Sequence, residues 1–282
     1  MEKYSLGSIK RDSIRRVFAC IKKKDLVSRL EISKETGLSL MTVGKIADDL
    51  ADKNIITQQK GTAGSVGRKA NYISLNKDNF SLILDLSDRV PSFAIVNVGG
   101  DVLYTEKFEG AGDKNLVHFL ETAKTYTNMN YLLDPCMGVG VIAGDNTDFE
   151  KDFRAVFGKD ATVATTSAKA KAAVKIAGER NALYFELGKE SATGVYMLDG
   201  EICDIDGTVT RDTVDSVIAV CAFLSPEKII FDGESEICEL LGGKITERCK
   251  KSEAHIDDTQ NTDAKYVGCA ALVADEYINI TK

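Results

Sequence analysis

The sequence has only three prolines and two histidines in 282 residues, and its seven cysteines never form a CxxC pair. Scarce proline, with 44% hydrophobic residues, excludes a disordered tract and predicts a chain able to bury a real core. His118 and His255 stand alone, without ligand neighbours at metal spacing, so neither a metal nor a cofactor is predicted. The cysteines are scattered and odd in number, which reads as reduced, mostly buried thiols in a cytoplasmic protein rather than as disulfides. No apolar run approaches the roughly 20 residues that span a bilayer. The charged N-terminus does not read as a secretion signal, and no membrane is expected as a partner.

Positive charge is also scarce, except at one end. Residues 1–76 hold 15 Lys/Arg against 8 Asp/Glu, whereas the remainder holds 21 against 35. The net charge of −7 therefore conceals a basic region and an acidic one, the asymmetry expected of a polyanion-binding end joined to a soluble, non-binding end. Lys10, Arg11, Arg15, Arg16 and the Lys22–Lys24 run contribute to the basic end, on a helix predicted over about 8–23.

Within that end, residues 28–45 (SRLEISKETGLSLMTVGK) spell a helix–turn–helix. Ser28 followed by Glu31 is a capping box, and Val27 with Ile32 forms the matching hydrophobic staple. Gly37 supplies the left-handed residue that ends the first helix, and Ser39 caps the second. Val43, Ile46, Ala47 and Leu50 then recur on one helical face and point to the core. Ser39, Met41, Thr42, Gly44 and Lys45 are left on the early, outward turn, where a recognition helix meets bases and phosphates. Next come a short strand at 54–59, a glycine-rich loop at 60–69 and a returning strand at 71–75, the pattern of a wing. Arg68 and Lys69 at its tip are placed to reach phosphates or the minor groove.

From residue 77 onward, strands and helices alternate. Strands are predicted at 81–86, 92–98, 101–108, 137–144 and 161–165, with helices near 113–128, 148–157 and 167–178. The opening pattern recurs about 100 residues later: strands at 181–188, 191–198 and 201–204, a helix near 209–223, a strand at 228–233, and helices near 234–242 and 262–278. Two similar α/β lobes facing a cleft are implied. The predicted division is 1–76, a winged helix–turn–helix, and 77–282, an α/β effector and dimerisation domain.

The helix–turn–helix, the GRK loop (67–69), the doubled lobe and the closing AKYVGCAALVADEYI (264–278) together resemble the ROK family of bacterial repressors and sugar kinases. The resemblance implies a reduced, two-lobed, actin-like (sugar-kinase-like) fold after the DNA-binding unit. Family repressors read L-S-R-x-T-V-S-R-I where this chain has Leu38 to Ile46. Leu38, Ser39, Thr42, Val43 and Ile46 are kept, Lys45 stands for the second Arg, Leu40 replaces the first Arg, and Gly44 replaces Ser.

The kinase features depart further. The family's D-I-G-G-T phosphate loop, whose glycines let backbone N–H groups approach ATP, corresponds here to Asp85, Leu86, Ser87, Asp88 and Arg89. Its N-D-A-N motif corresponds to Thr166, Ser167, Ala168 and Lys169, which puts a serine where the family's general base stands. A serine hydroxyl is too weak a base for that task. The second phosphate loop keeps Gly188 and Gly194 but has Lys189 and Glu190 between them, and the family's zinc-binding segment is missing.

These departures predict a non-enzyme: a DNA-binding transcriptional regulator, read as a repressor, that acts as a homodimer on a double-stranded operator. Dimerisation is expected because one helix–turn–helix reads few base pairs. The alternative is a ROK-type carbohydrate kinase with an atypical active site. For a sugar-like effector, the polar candidates are Asp85, Asp145, Asn146, Thr166, Ser167, Lys169, Glu186 and Thr193, with Ser167 also read as an N-cap.

Overall fold

The computed structural model describes residues 6–60, 71–108, 116–131, 136–144, 148–158, 160–187, 191–198, 201–210, 214–233, 235–248, 253–257 and 263–279. The chain begins with α1 (Leu6–Lys24), β1 (Val27–Ser28), α2 (Arg29–Thr36), α3 (Leu40–Asp52), β2 (Ile56–Lys60) and β3 (Asn71–Leu75). The capping chemistry is the one its residues dictate. Ser28 Oγ accepts from the Glu31 N–H at 3.3 Å, and Glu31 Oε2 accepts from the Ser28 N–H at 2.8 Å. Those hydrogen bonds hold the Glu31 carboxyl below its ordinary range. Gly37 has φ 70° and its N–H returns to the Ser33 carbonyl, so α2 stops there. Ser39 Oγ accepts from the Thr42 N–H at 3.1 Å and starts α3, whose Val43, Ile46, Ala47 and Leu50 are buried.

β1 is not evident in the sequence. It is two residues long, and it exists because Val27 pairs with Ile73 on β3 to complete an antiparallel sheet in the order β1-β3-β2. Of the wing loop expected at 60–69, Lys60 instead ends β2, and residues 61–69 lie outside the described residues.

The remainder folds as two copies of one topology. The first comprises β4 (Phe80–Leu86), β5 (Ser92–Asn97), β6 (Val102–Lys107), α4 (Leu116–Tyr131), β7 (Cys136–Ala143), α5 (Glu150–Phe157), β8 (Val163–Thr165) and α6 (Ser167–Lys175). The second comprises β9 (Asn181–Leu187), β10 (Ser191–Leu198), β11 (Glu201–Thr210), α7 (Val214–Leu224), β12 (Lys228–Gly233), α8 (Ser235–Arg248), β13 (Glu253–Asp257) and α9 (Ala264–Asn279). The sheets run β6-β5-β4-β7-β8 and β11-β10-β9-β12-β13. In each, the three leading strands pair antiparallel and the last two add in parallel. The continuous burial of β4, β5 and β7 is that of strands covered on both faces.

Two expectations need correction. β13 was not predicted, because EAHID alternates weakly and gains strand character only by pairing with β12. β11 extends to Thr210, well beyond residue 204, because its partner β10 continues the ladder through a register shift at Thr193/Gly194.

The two repeats exchange their last helices. Ala168, Ala172 and Ile176 at α6 pack with Ala182, Tyr184, Val195 and Ile230 of the second sheet. The α9 residues Cys269, Val273 and Ala274 pack with Ile83, Ala94 and Ile142 of the first. Where α6 and α9 cross, backbones touch: a Cβ on Gly268 would run into the Ala170 carbonyl oxygen. That same α9 cluster continues through Ile278 into Ile14, Val17, Ile21 and Leu50, so one hydrophobic core runs across residue 76. Arg15 clamps Asp275 with two hydrogen bonds of 2.8 and 2.7 Å, and Lys53 Nζ donates to the Ile278 carbonyl at 2.5 Å.

Among the described residues no helix is long and apolar enough to cross a membrane. The described cysteines are free thiols, with Cys20, Cys221, Cys238 and Cys269 buried.

Gly268→Ala is expected to destabilise the protein by roughly 3 kcal/mol or more, because backbone at a helix crossing cannot yield as a side chain can. Urea unfolding of the variant beside Gly243→Ala, where an added Cβ meets nothing within 4 Å, measures the difference.

Candidate nucleic-acid interface and effector site

The first turn of α3 faces outward. Ser39, Leu40, Met41 and Lys45 are exposed, and Thr42 is half-buried with its hydroxyl 2.9 Å from Ser39 Oγ. Gly44 departs from expectation. It is buried, and a Cβ there would lie 3.3 Å from Arg29 Nη1, so its role is to make room for a guanidinium rather than to meet a ligand. Arg29 Nη2 donates to Asp48 Oδ1 at 2.6 Å and to Gln58 Oε1 at 3.3 Å, which ties α2 to α3 and β2. Arg29 was not singled out in the sequence; the glycine replacing the family's serine was its trace. Arg68 and Lys69 lie outside the described residues.

Several basic residues of α1 are held by other groups of the protein, although Arg16, Lys22 and Lys24 keep exposed surface. Arg15 holds Asp275, Arg16 donates to the Thr36 carbonyl, and Lys24 pairs with Glu35. Lys22 is drawn toward the turn at Gly100, and burial lowers its pKa. Lys10, Arg11, Lys23, Lys34 and Lys45 remain exposed.

In the repeats, the candidate carboxylates Asp85 and Glu186 are each paired with a lysine. Asp85, the penultimate residue of β4, is 0% exposed and forms an ion pair with Lys265 at the start of α9. Lys265 Nζ also lies 2.7 Å from Asp88, and Ser87 donates to Asp85 Oδ1 through its N–H at 3.0 Å and its hydroxyl at 2.6 Å. Burial pulls the Lys265 ammonium down, but its hydrogen bonds to Asp85 and Asp88 and their charges outweigh this and hold its pKa above the ordinary lysine range. Glu186, the penultimate residue of β9, is paired in the same way with Lys171 of α6. One turn along that helix, Lys175 lies 2.9 Å from Asp232, which also accepts from the Tyr184 hydroxyl at 2.6 Å. Asp232 and Glu186 are register partners on adjacent parallel strands. The strand ends of both repeats thus carry carboxylates, each met by a lysine from a crossing helix.

Thr166, not Ser167, caps α6: its hydroxyl accepts from the Lys169 N–H at 3.2 Å, while Ser167 is the first helical residue. Lys169 is half-buried near the start of that helix, and Thr193 is exposed on β10. Asp145 and Asn146 lie outside the described residues. The candidate residues therefore separate into ion-paired strand ends (Asp85, Glu186) and a helix start (Thr166, Ser167, Lys169). The partners Lys171, Lys175, Asp232 and Lys265 escaped the sequence reading, since lysines in amphipathic helices resemble solvated ones until the fold brings carboxylates to them.

Lys265→Met should destabilise the protein by about 3–5 kcal/mol, because it strands a buried carboxylate. Adding Asp85→Asn should recover part of that loss in denaturant titration. A lysine whose pKa is raised by folding stabilises fully below its unfolded value of about 10.4, and that gain is lost as pH rises through the folded value. The difference between wild type and Lys265→Met/Asp85→Asn, which carries neither group, should therefore be flat from about pH 6 to about pH 9 and shrink only in strong alkali.

No protein-family model matches the chain, and no curated protein matches it in sequence. Its structure nevertheless aligns with that of a ROK family transcriptional regulator, a homologue of the E. coli Mlc protein, at a TM-score of 0.67 and 15% identity, covering 96% of this chain and 97% of that one. A glucokinase from Parabacteroides distasonis aligns at a TM-score of 0.55 and 8% identity, over 71% of this chain and 98% of that one. At such identities likeness speaks to architecture alone: over nearly its whole length the chain shares the mixed α/β fold of that regulator.

Proposed function

We propose that the protein is a ROK-family, DNA-binding transcriptional regulator, acting as a cytoplasmic repressor. Residues 1–76 are its winged helix–turn–helix, and 77–282 are a catalytically inactive effector and dimerisation domain. The observation that carries this reading is the doubly capped helix–turn–helix, whose α3 turns Met41 and Lys45 outward from the basic end of the chain. Two such units in a homodimer would read half-sites about one turn of duplex apart. The alignments support it: the regulator covers 96% of the chain, whereas the glucokinase covers 71%.

The inactive reading of 77–282 rests on chemistry. A phosphate approaching the end of β4 meets Asp85 and Asp88, whose compensating ammonium, Lys265, is already engaged. Ser167 offers no base where the family's would stand. A sugar-like effector remains the proposed ligand, bound near the start of α6 rather than at the ion-paired strand ends.

Fluorescence anisotropy with duplex fragments selected from genomic DNA tests this. Affinity should fall steeply with salt, as counterion release requires. Lys45→Ala should weaken binding and reduce the log–log salt slope by about one. ATP turnover on a panel of sugars is expected to be absent; measurable phosphorylation would favour the carbohydrate kinase reading instead.

A further inference from the structure

We infer that α3 reads its DNA chiefly through thymine 5-methyl groups, with Leu40 and Met41 as the specificity-determining contacts. This rests on the DNA-binding reading above and names the base chemistry that the site selects.

The first observation is what α3 lacks. Leu40–Asp52 contains no arginine, asparagine or glutamine, the side chains that read guanine or adenine edges with paired hydrogen bonds. Lys45 is its only cation. Arg29, the guanidinium lying against α3 at Gly44, is held by Asp48 and Gln58.

The second is where the polar groups of the first turn are spent. Ser39 Oγ takes the Thr42 N–H, and the two hydroxyls share one hydrogen bond at 2.9 Å. Much of the hydrogen-bonding capacity of this turn closes on itself.

The third is what the turn exposes. Leu40 is 53% and Met41 73% exposed, adjacent at the start of the helix. They sit beside a helix N-terminus, whose partial positive charge favours the phosphates that flank a groove. Asp48 is neutralised by Arg29, but exposed Asp49 lies two turns further on, so phosphate repulsion there disfavours deeper insertion and leaves the N-terminal turn as the part that enters. Apolar side chains presented to the major groove find one apolar partner there, the thymine methyl.

Duplexes enriched by the full-length protein from a random library, with each thymine replaced in turn by deoxyuridine, test the inference, because that exchange removes the methyl and keeps base pairing. One or two positions per half-site should lose about fourfold in affinity per methyl removed. In Leu40→Ala/Met41→Ala that discrimination should vanish while the salt slope stays at the wild-type value. Circular dichroism should remain unchanged, as expected for exposed helical positions replaced by alanine. Equal affinity for thymine and uracil duplexes at every position would overturn the inference while leaving DNA binding intact, as would discrimination that survives in the double variant. Enrichment of no duplex at all would remove both this inference and the function on which it rests.

Discussion

Helix α9 packs against the first sheet, crosses α6 and reaches the N-terminal helices, holding the two repeats and the basic end of the chain to one another. This helix belongs to the second repeat by topology but to the first sheet by contact. Its first turn brings Lys265 to Asp85, its middle crosses α6 at Gly268, and its last turns receive Arg15 and Lys53 from the N-terminal helices. One rod of sixteen residues thus touches the strand ends, the crossing between repeats and the helix–turn–helix.

The electrostatics of the repeats follow from the same crossing. Strands that end in carboxylates would be poorly tolerated under a helix unless cations met them, and α6 and α9 supply lysines at those places. Burying such pairs costs desolvation that a hydrophobic pair would avoid. Their cost is offset by the surrounding hydrogen bonds from Ser87 and Tyr184. The result is a strand-end region in which Asp85, Glu186 and Asp232 each have a lysine partner, in contrast to the N-terminal helices, where Lys10, Arg11, Lys23 and Lys45 are exposed.

Much of the architecture was legible in the residues. The capping box at Ser28, the glycine stop at Gly37 and the cap at Ser39 are local devices, decided within a few residues, and the structure places each where the pattern does. The recurrence of three strands at 181–204 predicted a duplication, and both sheets have the same strand order. β1 and β13 were not legible, because each is short and takes its conformation from a partner distant in sequence. Gly44 was misplaced for the same reason: its burial is caused by Arg29, fifteen positions earlier, and no helical periodicity reports that contact. Ser167 was one residue out as a cap, within the ambiguity that two successive hydroxyl residues leave.

The chain by itself determined its local turns, its helical faces, its doubled α/β plan and its division into a basic and an acidic end, since these depend on residue type at short spacing. Tertiary structure alone decided which charges meet. Arg15 reaches Asp275 and Lys265 reaches Asp85 across most of the chain's length, and such pairings exist only once hydrophobic burial has brought their helices and strands together.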